Sequence, residues 1–143
     1  MAIINSFRDL KVYQAARAQA VAIFRLTQSF PRDERFSLTD QIRRSSRAVN
    51  ALLAESWARR RYEPAFVNKV NEAMGEAMET QAWLDHALDS GYVTKQDFAR
   101  IDAAFNNIGA MLNRMIDRAA DFCNQGNHQA ETKKMVPKLE SAK

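Results

Sequence analysis

An all-α, up-down-up-down antiparallel four-helix bundle is the fold class that the sequence predicts. Three observations predict it. Gly and Pro number only four and three in 143 residues, while Ala, Leu, Met, Gln, Glu and Arg, which enter helices at little cost, abound. Apolar residues recur at three- and four-residue steps in four long stretches. Short connections join those stretches, so consecutive helices should run antiparallel. At this length one domain with a real core is the simplest organisation. We expect a bundle over residues 1–126 and a polar, mobile tail over residues 127–143.

The first helix is expected to start at Ser6, an N-cap residue with Asp9 three positions on, in the pattern of a capping box. Leu10, Tyr13, Ala16, Ala20, Ile23 and Thr27 then mark one face. Phe30-Pro31 ends it, because the residue before proline avoids the helical region. Ser37 is the next N-cap, with Asp40 in the first turn, and this second helix should run to about Arg61. Its core stripe is Leu38, Ile42, Ser45, Val49, Leu52, Leu53 and Ser56, in which the small serines let a neighbouring helix approach closely. At 100° per residue the opposite stripe is Arg43, Arg47, Asn50, Ala54 and Arg61, with Trp57 at the edge between the two.

Glu63-Pro64 opens the third helix, since proline suits a first turn. Val67, Val70, Met74, Ala77, Gln81, Leu84 and Leu88 have the spacing of a coiled-coil seam. The other face is acidic, with Glu72, Glu76, Glu79, Asp85 and Asp89, and Gly91 ends the helix. Thr94 with Asp97 repeats the capping pattern. Phe98, Ile101, Phe105, Ile108, Leu112, Met115, Ala119 and Phe122 form the strictest stripe in the chain, and Gly126 is the expected terminator.

Net charge is +4 and unevenly placed. Residues 1–65 carry 12 Lys and Arg against 6 Asp and Glu; residues 66–143 carry 9 against 11. Such asymmetry suggests a basic face for an anionic partner. The competing account is charge pairing between helices or subunits. No signal peptide begins the chain and no long apolar run spans a membrane, so a cytoplasmic protein is expected.

The residues that metal or catalytic centres need do not converge. There are two histidines, His86 and His128, and neither belongs to a Glu-x-x-His pair. Gly75, Gly91, Gly109 and Gly126 are isolated, so no phosphate loop forms. The single Cys123 has no basic or histidine partner nearby in sequence and reads as a half-buried thiol. No cofactor, metal or catalytic residue is therefore assigned, and no enzyme is expected. Glu55 and Glu79 lie among small or apolar residues, where an acid needs a partner. We expect a structural polar network of Arg43, Arg44, Glu55 and Glu79.

FRDLKVYQAA (7–16), LTQSFPRDERFSLTDQIRRSS (26–46), ALLAESWARR (51–60) and AMGEAMETQAWLDHALDSGYVT (73–94) resemble the 23S ribosomal RNA intervening-sequence proteins. The resemblance covers about residues 7–122. This chain departs from the family pattern at Asn50, Leu52 and Ser56, where a proline, an asparagine and a glycine are common, and at Glu76, where a serine is frequent. What the resemblance implies is a bacterial four-helix bundle that assembles into a ring, a homopentamer, without an established catalytic activity. A similar bundle serves retroelements that diversify genes and binds nucleic acid and a reverse transcriptase.

Together these readings set two functional expectations. One is a ring-forming protein that binds RNA or DNA, or acts as an adaptor for a protein partner, through Arg43, Arg47, Trp57, Arg60 and Arg61. Arginines hold phosphates and an aromatic ring stacks on an unpaired base. The other is a purely structural homo-oligomer in which the same helix-2 face meets a neighbouring subunit.

Overall fold

The structure, a computed structural model, describes residues 3–123. Four helices carry it: α1 (Lys11–Thr27), α2 (Leu38–Ala58), α3 (Glu63–Asp89) and α4 (Lys95–Asp117). Each packs on its two neighbours around a square, and α2 against α3 is the most extensive seam. This is the antiparallel bundle that the short connections require. Gly126 and the tail lie outside the described residues.

The helices begin and end for local reasons. Ser6 and Asp9 do form a reciprocal capping box, but it closes a short 3-10 turn, Phe7–Asp9. Leu10 then turns extended and is buried, so α1 proper begins four residues after the expected point, at Lys11. At the other end the Thr27 hydroxyl donates to the carbonyls of Ile23 and Phe24. The chain leaves the helix there, and Phe30 folds back against Tyr92 with ring centroids 5.3 Å apart.

Ser37 precedes α2, but its side chain makes no capping bond. Glu34 does that work: one carboxylate oxygen accepts from the Leu38 amide at 3.3 Å, and the other accepts from the Tyr92 hydroxyl at 2.8 Å. One acid thus satisfies an orphan donor of α2 and ties it to the α3–α4 turn. Helix α2 stops at Ala58 rather than Arg61. Arg59 caps it, and Tyr62 is extended ahead of Pro64 in the first turn of α3. At the far end Gly91 takes φ 77°, with the Tyr92 amide on the Ala87 carbonyl and the Gly91 amide on the Leu88 carbonyl. That is a Schellman motif, which needs glycine at the left-handed position. Thr94 caps α4 by accepting from the Asp97 amide. The helix is interrupted at Arg118, and residues 119–123 are helical again.

The core is continuous through all four helices. Ile23, Ile42, Val49, Leu53, Phe66, Val70, Leu84, Ile101, Phe105, Ile108 and Leu112 are fully buried. The expected α4 stripe is buried from Ile101 to Ala119, with Phe98 and Phe122 half-buried at its ends. The α3 seam is rotated from its expected position: Phe66, Val70, Ala73, Ala77, Thr80, Leu84 and Ala87 are buried, whereas Val67, Met74, Gln81 and Leu88 are half-buried shoulders. The buried line of α3 is largely of small residues, Ala73, Ala77, Thr80 and Ala87, which periodicity of large apolar residues does not mark. Small residues line its close contact with α2, where the buried Ser45 and Thr80 hydroxyls hydrogen-bond at 2.7 Å. On the other shoulder Gln81 donates to Asp102 and Asn106 of α4. Among the described residues no helix is long and apolar enough to cross a membrane.

Candidate nucleic-acid interface

Helix α2 carries arginines on two sides, and the two sides have different surroundings. Arg44 points toward α3, where it pairs with Glu76 at 3.2 Å and with Glu79. Glu79 also accepts from the Trp83 indole at 3.0 Å. Partial desolvation works against the Arg44 charge, but the Glu79 hydrogen bond and the charges of Glu76 and Glu79 outweigh it and raise its pKa. This cation is neutralised within the chain.

Arg43 points the other way, toward α1. Its Nε donates to the Thr27 hydroxyl oxygen at 2.7 Å, and its guanidinium lies 4.7 Å from the Phe24 ring centroid. Arg47, one turn on, lies 5.6 Å from the same ring. Asn50 follows, and its amide donates to the Tyr13 carbonyl at 3.0 Å. The stripe read as the outer face of α2 is therefore the rim of the α1–α2 seam. Arg61 is not part of it, because α2 has ended before that residue.

Tyr13, Arg17, Ala20, Val21 and Phe24 of α1 complete a groove of about 300 Å³ with Arg47 and Asn50. Phe24 remains 40% exposed and Val21 43% exposed, although both are apolar. Among the described residues the ion pairs involve Arg44, Lys69 and Arg100, so Arg17, Arg43 and Arg47 meet no carboxylate there. Two guanidinium groups over one exposed ring, with Arg17 lining the groove, form a concentrated positive field that meets no carboxylate among the described residues.

The remaining sequence-predicted residues lie elsewhere. Trp57 is buried in the core at 8% exposure. Arg60 covers its ring at 3.6 Å and donates to its carbonyl at 2.8 Å. Trp57 therefore fills the bundle's end, and the stacking role read for it has no free surface. Burial lowers the Arg60 pKa, with the nearby Cys123 opposing. Arg61 is exposed in the α2–α3 turn. Of the expected polar network the structure brings Arg44 and Glu79 together. Arg43 is held by Thr27 and Phe24, and Glu55 is exposed on the surface with Lys69 at 3.1 Å.

Cys123 is fully buried rather than half-buried, and burial first, then the Glu63 charge, push its thiol pKa up. A thiol in that condition is a poor nucleophile. His86 is exposed, with its ring 5.9 Å from the Trp83 ring. Among the described residues no three His, Cys, Asp or Glu side chains are placed to hold a metal ion.

Arg17, Val21 and Phe24 were missed in the sequence. Their spacing of four and three along α1 was the available signal, since it puts a cation and two apolar groups on one line beside the core face.

Residues 8–114 match the family described as 23S rRNA-intervening sequence protein. Among solved structures, a protein of unknown function from the S23 ribosomal protein family of Bacteroides thetaiotaomicron is similar at TM-score 0.67 and 26% identity. The match covers 74% of this chain and 95% of that one. Among curated proteins none matches.

Proposed function

The chain belongs to the 23S rRNA-intervening sequence protein family, and from that premise we propose that it is a non-catalytic RNA-binding bundle that holds phosphates in the α1–α2 groove. One observation carries the reading. Arg43 and Arg47 lie over the exposed Phe24 ring and Arg17 lines the same groove, none of the three with a carboxylate partner among the described residues. Arginine binds phosphate in two-point geometry and stacks on flat rings, so this group suits a ribonucleotide backbone. The proposal includes self-assembly into a ring, a pentamer by resemblance, which repeats the groove and multiplies its charge.

A second reading is supported by the apolar part of the same surface. Val21 and Phe24 would suit a subunit contact, and α3 offers the exposed carboxylates Glu72 and Asp85 as an acidic counterpart. In that reading the protein is a structural homo-oligomer and its arginines meet a neighbour's carboxylates.

Titrating single-stranded RNA at 50 and 200 mM salt, while measuring mass by light scattering, separates the two. Three phosphate contacts per chain predict that affinity falls about twentyfold between those salt concentrations. In the RNA-binding reading, Arg17→Glu with Arg47→Glu abolishes binding and leaves the mass unchanged. Loss of the oligomer in that variant favours the second reading. Absence of RNA binding at 50 mM salt refutes the first.

A further inference from the structure

We propose that the α1–α2 groove seats one unpaired nucleobase, so that the RNA it takes is single-stranded at that point. This rests on the RNA-binding reading and adds to it what phosphate binding alone does not require. A phosphate chain needs cations on an open surface. This groove also has an apolar wall, an aromatic ring and two further polar residues, Tyr13 and Asn50, in its lining.

The volume, about 300 Å³, lies at the small end of ligand pockets, and it suits one nucleotide rather than a helix. Ala20, Val21 and Phe24 supply the apolar side. Phe24 is 40% exposed, and the Arg43 and Arg47 guanidinium groups lie over its ring, 4.7 and 5.6 Å from the centroid, so a base would stack on a guanidinium plane or on the exposed part of the ring. Aromatic rings and guanidinium planes are the two surfaces on which proteins stack splayed-out bases.

The polar groups are oriented. Donation from Asn50 Nδ2 to the Tyr13 carbonyl at 3.0 Å fixes which way the amide faces. Its Oδ1 has no hydrogen-bond partner among the described residues and is left to accept an N–H from a base edge. The Tyr13 ring is held edge-on by Phe7, with centroids 5.0 Å apart at 75°. Its hydroxyl, without a partner among the described residues, is both donor and acceptor. A base in a duplex has its pairing edge occupied and stacked neighbours on both faces. An unpaired base has all three surfaces free.

The experiment uses the full chain and three fluorescent probes of ten nucleotides: single-stranded oligoadenylate, the same strand in a duplex, and an abasic strand with the same phosphates. Anisotropy at 50 mM salt should show oligoadenylate bound about tenfold more tightly than the abasic strand, the increment expected for one stacked base. The duplex should bind no better than the abasic strand. Phe24→Leu should bring the adenylate-to-abasic ratio close to one, with an unchanged circular dichroism spectrum. Tyr13→Phe, which keeps the ring, should weaken oligoadenylate severalfold and leave the abasic strand unaffected. Equal binding of adenylate and abasic strands, or a ratio that survives Phe24→Leu, overturns the nucleobase site and leaves RNA binding intact. Failure of all three probes to bind overturns both.

Discussion

Arg43 and Arg44 are neighbours in sequence and belong to opposite seams of α2. Arg44 lies over the α2–α3 seam, where two glutamates neutralise it and small residues bring the helices close. Arg43 lies over the α1–α2 seam, where its partners are a hydroxyl and an aromatic ring. In the first seam each paired cation meets carboxylates and small residues bring the helices close. The second keeps excess charge, exposed apolar surface and a groove. A bundle needs only the first kind of seam to be stable, so the second is where selection for something other than stability would show.

Four changes would break or sharpen that contrast. Leu53→Ala removes a fully buried side chain from the core. It should cost about 2–5 kcal/mol and lower Tm by about 10 °C or more, measured by thermal unfolding. RNA affinity of the protein that remains folded in the cold should not change. Arg17→Glu with Arg47→Glu should do the reverse, lowering RNA affinity about a hundredfold or more at 50 mM salt while Tm moves by no more than about 2 °C.

Arg44→Met is the control from the balanced seam. Its carboxylate partners are partly exposed, so solvent screening limits the loss to about 0.5–1 kcal/mol by chemical denaturation, and RNA affinity should stay the same. A large fall in RNA binding there would erase the distinction between the seams.

The smallest effect is at the bundle's end. The hydrogen bond to Glu34, then desolvation, raise the Tyr92 pKa above 10.0. The folded state therefore holds the phenol proton more tightly than the unfolded state. That stabilisation is complete below pH 10.0 and fades as pH rises through the folded value. Tyr92→Phe should lower Tm slightly at pH 8 and remove this part of the alkaline loss, read by comparing both proteins up to pH 11.

Much of the architecture was legible because it depends on local rules. The α4 stripe is strict because its buried positions, Ile101, Phe105, Ile108, Leu112 and Met115, are all large and apolar. Gly91 is forced by a positive φ, and Pro64 is confined to a first turn. What was illegible depends on partners distant in sequence. The α3 seam was placed one shoulder away because small residues, Ala73, Ala77, Thr80 and Ala87, occupy its buried line while the larger Val67, Met74 and Leu88 sit half-buried beside it. The hydroxyl of Ser37 looked like a cap, but it makes no capping bond, and the longer Glu34 side chain accepts from the Leu38 amide instead.

The candidate site was less legible than the fold. Angular position showed that Arg43 and Arg47 leave the α2 core face, but could not show that α1 approaches them there. Trp57 looked available because its edge position is ambiguous, and burial at the bundle's end decided it. Phe24 and Arg17 were overlooked because a single exposed aromatic or arginine on a helix has no meaning until its neighbour across the seam is known.

The central claim is one of location, and photocrosslinking tests it most directly. Single-stranded RNA carrying 4-thiouridine would be bound to the full chain, irradiated and digested, and the modified peptides read by mass spectrometry. Crosslinks should fall at Tyr13, Phe24 and the residues around Arg47. Crosslinks confined to α3 and α4 would contradict the account.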